Sequence, residues 1–404
     1  MVGGLRRSGL NLFCAVGMFF AGMLFFGPQA AADDEEICKQ ESGDIAIAAC
    51  SRAIASGGYS ARNLAVFHNN RGFVYANKGQ HDRAIQDFDE AIRLDPQSAA
   101  AYLNRGGAYY KKGQHDRAIQ DFDQAIRLDP QFSEAFYNRG STYRDKGQYD
   151  RAIQDYDQAI RLNPQYAEAF NNRGIVYSNK SQHDRAIQDF DQALRLNPQD
   201  AKAFNNRGNA YSEKGQHDRA IQDYDQAIRL NPQYAEAFNN RGLAYQDKGQ
   251  HDRAIQDFDQ AIRLDPQYAA AFYNRGNAYQ DKGQHDHAIQ DYDEAIRLNP
   301  QYAEALNNRG IVYVKKGQYG RAIQDFDEAI RLNPQDAAAF NNRGGAYHKK
   351  GQHDRAIQDF DQAIRLNPQF AEAFSNRGLA KQKKGDTAGG DADIAKARQL
   401  QSGI

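Results

Sequence analysis

Residues 201–234 read AKAFNNRGNAYSEKGQHDRAIQDYDQAIRLNPQY, and this stretch decides the fold because close copies of it return every 34 residues. Pro232 marks its phase: Pro96, Pro130, Pro164, Pro198, Pro266, Pro300, Pro334 and Pro368 hold the same register. Phe204, Gly208 and Tyr211 fall at i, i+4 and i+7, which is one face of a helix. Gly215 follows, suited to the left-handed turn that ends one. Ala220, Ile221, Tyr224, Ala227, Ile228 and Leu230 make a second helical stripe, which Asn231-Pro232 stops because the residue before proline is pushed out of the helical region. Asp218 is placed to cap the second helix, and the Asn or Asp before each proline to cap the next unit's first helix. Two such helices cannot bury their apolar face alone, whereas stacked copies can.

With Ala201 as position 1, units begin at Ala65, Ala99, Ser133, Ala167, Ala201, Ala235, Ala269, Ala303, Ala337 and Ala371. Glycine holds position 8 from Gly72 to Gly378, and alanine holds position 20 from Ala84 to Ala356 and position 27 from Ala91 to Ala363. Larger side chains there would push the paired helices apart. A length of 404 would ordinarily mean two or three domains, but the repeat indicates one array. Lys and Arg number 51 against 52 Asp and Glu, a net charge of −1. This argues against a nucleic-acid groove, which needs a basic excess.

The quoted pattern resembles the tetratricopeptide repeat family. Phe204, Gly208, Tyr211, Ala220, Tyr224, Ala227 and Pro232 match its signature one by one, and the match runs from 65 to about 400. Two departures stand out: position 4 is never Trp, with His68 and Leu306 as exceptions to Phe or Tyr, and position 7 is arginine throughout instead of leucine. That arginine can lay its stem on the aromatic core and reach an aspartate at position 23, such as Asp189 or Asp223. The resemblance implies an all-α fold, a right-handed superhelical solenoid of antiparallel helix pairs. The expected organisation is a secretory signal over 1–32, a degenerate N-terminal cap over 33–64, nine units over 65–370, and a partial unit with a capping helix over 371–404.

The signal is read from Arg6-Arg7, the uncharged apolar run from Leu10 to Phe26, Pro28, and the small residues Ala30-Ala31-Ala32 before acidic Asp33, with cleavage near Ala32-Asp33. An uncleaved membrane anchor is the alternative. Export leaves Cys38 and Cys50, an even pair that favours a disulfide. Asp44 to Ile54 aligns with the second-helix pattern, so the bridge would staple the two helices of the cap.

No nucleophile–base pair, phosphate loop, metal cage or cofactor motif is present in this reading, which makes the chain a non-catalytic scaffold. His81, His115, His183, His217, His251, His285 and His353 recur at position 17 as solvated turn residues, and Asp89–Arg93 and its copies read as i, i+4 surface pairs. In the resembled family, positions 2, 5, 6, 9, 12 and 13 line a concave face. Position 6 is asparagine in every unit: Asn70, Asn104, Asn138, Asn172, Asn206, Asn240, Asn274, Asn308, Asn342 and Asn376. Such a ladder can pair with the backbone of an extended peptide without reading its sequence, or it can serve hydrogen bonds within the array. Protein or peptide segments in a cell-envelope groove are therefore the expected partners. Glycan is the alternative, with Tyr110, Tyr137 and Tyr273 as the candidate stacking rings. The family's clamp for C-terminal carboxylates would need lysine at position 5, and none is there.

Overall fold

The computed structural model describes residues 28–402, with side chains from Asp33 onward. The expected signal segment lies, up to Gly27, outside the described residues. Among the described residues every regular element is an α-helix. They divide into two compact units, one ending at Leu196 and the other beginning at Asn197.

The first unit opens with α1 (Pro28–Gln40) and α2 (Gly43–Ala55), followed by α3 (Ala61–Asn77) and α4 (His81–Leu94). From there the 34-residue step sets the pairs, through α5 (Ala99–Lys111) and α6 (His115–Leu128) to α9 (Ala167–Asn179) and α10 (His183–Leu196). Helix α3 starts ahead of Ala65 because the Ser60 hydroxyl accepts the Asn63 N–H at 3.2 Å and caps an extra turn. A disulfide joins Cys38 of α1 to Cys50 of α2, and both sulfurs are buried beside Ala49, Ala53 and Phe67.

The second unit runs from α11 (Ala201–Glu213) and α12 (His217–Leu230) by the same step to α17 (Ala303–Lys315), α18 (Tyr319–Leu332), α19 (Ala337–Lys349), α20 (His353–Leu366), α21 (Ala371–Lys383) and α22 (Thr387–Ser402).

Packing inside a pair follows from the absent side chain at position 8. A β-carbon on Gly208 would sit 2.6 Å from Tyr224 Cε1, so glycine lets the position-24 ring lie flat on the first helix. The ring then reaches position 10 of the following unit: Phe258 packs with Ala254 and with Ala278. Phe88, Tyr156, Tyr224, Tyr292 and Phe360 do the same, each filling space within its own pair and against the next. At the end of the second unit α22 lacks the ring, and Gly378 faces Gly390 instead, so the two backbones approach directly.

Two capping expectations are corrected. The position-18 aspartate does not cap α12; its N-cap is Gln216, without a side-chain cap, and the same holds at Gln80, Gln114, Gln148, Gln250, Gln284, Gln318 and Gln352. Glycine in the left-handed region, such as Gly215 at φ 69°, ends the first helix and lets the Gln216 N–H reach the Tyr211 carbonyl at 2.9 Å. Ser181 holds the same conformation at φ 57° without glycine's freedom. The Asx residue before proline likewise caps nothing. Its side chain closes the connecting turn, as Asn163 Oδ1 accepts the Gln165 N–H at 3.1 Å. The cap falls to position 34 where its chemistry allows, as with Asp200 and Asp336.

Candidate functional site

On a helix of 3.6 residues per turn, positions 4, 7, 8 and 11 share one side, and positions 2, 6, 9 and 13 share the opposite side. The first set is occupied by the pairing just described. Arginine 7 belongs to it. Arg275 Nε and Nη2 grip both oxygens of Asp291 at 2.8 and 2.6 Å, and Nη1 reaches Asp259 of the preceding pair at 2.5 Å. Its guanidinium also lies 5.6 Å from the Phe272 ring centre. The reach to position 23 was legible in sequence, while the second aspartate, at position 25, was not. Asp89, read as a partner of Arg93, instead binds Arg105 at 2.7 Å, and Arg93 pairs with Glu90 at 2.5 Å. The cause is reach: the arginine of the next first helix sets a charge beside Asp89 across the stack. Burial pushes the Asp291 carboxyl above its usual range, opposed only in part by Arg275.

The position-18 aspartates also work between pairs. Asp116 holds Lys146 at 2.5 Å, and the lysine draws the Asp116 carboxyl below its usual range. Gly320 removes that partner for Lys350, and an open depression of about 540 Å³ remains there, lined by Gly317, Gln318, Tyr319, Gly320, Arg321 and Lys350.

The asparagine row is fastened to its neighbours. Asn104, Asn274, Asn342 and Asn376 each donate from Nδ2 to the position-5 carboxamide of the preceding pair, Asn69, Asn239, Asn307 and Asn341, at 2.9–3.0 Å. Asn172 and Asn308 donate to the hydroxyls of Tyr137 and Tyr273 instead, at 2.9 and 3.1 Å. Asn240 spends both amide hydrogens, on Asn205 and Asn209, each at 3.1 Å. Asn70 reaches the Cys38 carbonyl at 3.4 Å. Opposite Leu103 there is no side-chain oxygen to accept, and the half-buried Asn138 carboxamide has no hydrogen-bond partner among the described residues. Asn206 is engaged.

Tyr137 and Tyr273, the candidate stacking rings, each already contact two tyrosines and remain partly exposed. Tyr137 lies 4.8 Å from Tyr166 and 5.9 Å from Tyr156, and Tyr273 lies 4.8 Å from Tyr302 and 6.0 Å from Tyr292, centre to centre. Tyr110 donates to Asp145; burial and that bond push its hydroxyl up to about 12. The turn histidines are half-buried: one side of the ring faces solvent and one is enclosed. The Nδ1 atoms of His81, His115, His183, His217, His251 and His285 are enclosed without a hydrogen-bond partner, and those of His217 and His251 lie 3.7 and 3.9 Å from Asp247 and Asp281. Among the described residues no group of three or more His, Cys, Asp or Glu side chains could hold a metal ion, and no helix is long and apolar enough to cross a membrane.

The sequence varies along the row at positions 2, 9 and 13, and parts of it are open. Phe73, Leu243 and Leu379 at position 9 are 42%, 36% and 46% exposed. Lys315, Lys349 and Lys383 at position 13 are exposed too.

No curated protein sequence matches the chain. Among solved structures, a tetratricopeptide repeat protein from Parabacteroides merdae ATCC 43184 is similar at 20% identity, over 61% of this chain and 97% of that one, with a TM-score of 0.50. YrrB, described as a TPR protein with an unusual peptide-binding site, is similar at 27% identity over 46% and 95%, TM-score 0.39. MamA is similar at 30% over 41% and 96%, TM-score 0.38. Tetratricopeptide-repeat models match residues 223–256, 245–283, 276–317 and 307–371. The model described as cilia and flagella-associated protein 70 C-terminal domain matches residues 29–239, just over half of the chain. With the helix pairs and the position-by-position signature in place, the chain belongs to the tetratricopeptide-repeat family.

Proposed function

We propose that this protein is a non-catalytic interaction scaffold that binds extended polypeptide segments along the open face of its first helices. One observation carries the reading. The invariant groups of each pair are spent on the stack, while the row at positions 2, 9 and 13 changes from unit to unit and leaves Phe73, Leu243, Leu379, Lys315, Lys349 and Lys383 exposed. A surface that mixes exposed Leu243 and Leu379 with charged side chains suits a peptide with both apolar and polar residues. Below that row the asparagines form a floor. Asn138, with its carboxamide unspent, is the strongest candidate to pair with a peptide backbone, because it offers both donor and acceptor. Asn240 and Asn308, each with both amide hydrogens used, are the weakest.

The polypeptide reading is favoured over glycan because Tyr137 and Tyr273 each pack against a neighbouring tyrosine and accept an asparagine hydrogen bond. The reading extends to a protein exported to the cell envelope. The Arg6-Arg7 and Leu10–Phe26 pattern supports it, as does a disulfide of the kind that persists in oxidising compartments. Mass mapping of the protein recovered from cells tests it: an intact bridge and an N-terminus near Asp33 are expected, and free thiols on a full-length chain would reject it.

The binding reading is tested with a library of 12-residue peptides and three proteins: wild type, Asn138→Ala and Asn240→Ala. Asn138→Ala is expected to weaken peptide binding several-fold at unchanged stability, because that amide anchors nothing in the stack. Asn240→Ala is expected to lower stability. Absence of binding by any peptide to the folded wild type would reject the proposal.

A further inference from the structure

Position 13 changes sign along the chain. It is Asn77, Lys111, Asp145 and Asn179 in the first unit, then Glu213, Asp247 and Asp281, and finally Lys315, Lys349 and Lys383 in the last three pairs; Lys111 stands alone and lies over the Tyr110 ring. The aspartates are partnered. Asp145 receives hydrogen bonds from Tyr110 and, at 2.9 Å, from Arg144; Asp281 receives one from Gln246 at 3.1 Å, with His251 nearby. The three lysines differ: all are exposed, and among the described residues none has an acidic or hydrogen-bonding partner. Their neighbours at position 14 show that a lysine here finds an aspartate when the stack requires one, since Lys316 binds Asp286 and Lys384 binds Asp354. Lys350 joins the unneutralised set, because Gly320 stands where other units place the aspartate. The positive charge at the end of α17, α19 and α21 is therefore not balanced within the molecule.

His348 senses that charge. Its Nδ1 sits 3.2 Å from His353 Nδ1, and partial burial together with His353, Lys349 and Lys383 pushes its pKa below the usual histidine value. An anion laid over the row would reverse the electrostatic part of that shift.

From the unpaired row we infer that the first-helix face of α17, α19 and α21 is a docking site for an acidic polypeptide segment carrying a carboxylate at every third residue. The spacing follows from geometry. Neighbouring first helices touch through the Asn342–Asn307 and Asn376–Asn341 bonds, and packed helices lie about 8–10 Å apart. A chain in the polyproline II conformation has three residues per turn and rises about 3.1 Å per residue, so every third side chain points the same way about 9 Å further on. One lysine per helix then meets one carboxylate per turn. A polypeptide fits better than a nucleic acid or an anionic membrane. The exposed Leu379 lies on the same row, and Lys315, Lys349, Lys383 and Lys350, bordered by Asp281, are too few cations for a phosphodiester backbone.

The inference rests on the open face being a polypeptide site, and the test separates the two. Three labelled 12-residue peptides of equal length are titrated at low salt by fluorescence anisotropy: one with Glu at every third position, one of the same composition with the Glu residues clustered, and one with Gln replacing Glu. The proteins are wild type, K315E/K349E/K383E, and a charge-matched control on exposed second-helix positions, R127E/R161E/R195E; circular dichroism establishes that each is folded. The spaced acidic peptide is expected to bind wild type and the control at least tenfold tighter than the Gln peptide. It should bind several-fold tighter than the clustered one, and lose at least tenfold on the lysine reversal. It should also raise the His348 pKa seen by NMR. Equal binding of spaced acidic and Gln peptides, unaffected by the reversal, would overturn the inference and leave the polypeptide reading standing. No binding by any peptide would overturn both. Tighter binding of single-stranded RNA or anionic vesicles through the same lysines would overturn the acidic-peptide assignment.

Discussion

At Gly242 a β-carbon would stand 2.6 Å from Phe258 Cε1, whereas at Gly107, on the open face of α5, it would meet nothing within 4 Å. The same substitution should therefore have opposite signs at the two sites. Gly242→Ala forces the ring aside, which typically costs about 1–3 kcal/mol and outweighs alanine's better helix propensity. Gly107→Ala keeps only the propensity and gains up to about 1 kcal/mol. Urea unfolding of the two variants checks both signs. The arginine at position 7 gives a second contrast. Arg275→Met strands the buried Asp291 and should destabilise by about 3–5 kcal/mol. Asp259→Asn, at a half-exposed partner, should cost about 1 kcal/mol or less. Equal effects would mean that the arginine is held by its surface contact and not by the buried one. The recurrence of Gly and Arg was plain in the sequence, and so was Asp at position 23 as a partner. The role of Asp at position 25 was not, because the residue it serves is 16 positions ahead, on another helix pair.

Between elements, the asparagine row acts as a zipper, and one tooth is missing. Leu103→Asn should give the Asn138 carboxamide an acceptor and stabilise the stack by about 0.5–1.5 kcal/mol, the usual net for one hydrogen bond. The same change should weaken peptide binding if Asn138 is a contact, so stability and affinity should move in opposite directions. Helix boundaries were legible to within a residue or two, because glycine and proline punctuate every unit. Caps were not. Asp218 looked like an N-cap by type and place, yet it faces Lys248 of the next pair, and a lysine one repeat away leaves no local signature. The histidines misled for the same reason: their turn position suggested water, but Asp247 and Asp281 of the next pair lie 3.7 and 3.9 Å from the Nδ1 atoms of His217 and His251.

For the whole molecule, neighbours in a stack matter far more than distant parts. Deleting one interior repeat, residues 269–302, restores the register at the junction. The product should keep its mean residue ellipticity and unfold at a slightly lower temperature. Collapse of the helical signal would contradict a nearest-neighbour stack. The fold class was legible from the period alone. The open face was legible only as a set of positions in a resembled family, since which side chains stay unspent depends on contacts between pairs. The account's central claim is that these unspent side chains hold an extended polypeptide. It is tested most directly by placing a photocrosslinking amino acid at Leu243, on the open face, or at Arg263, on the far side of the second helix, and irradiating each with the 12-residue peptide library. The account predicts covalent peptide adducts at position 243 and none above background at 263. Adducts at 263 with none at 243 would contradict it.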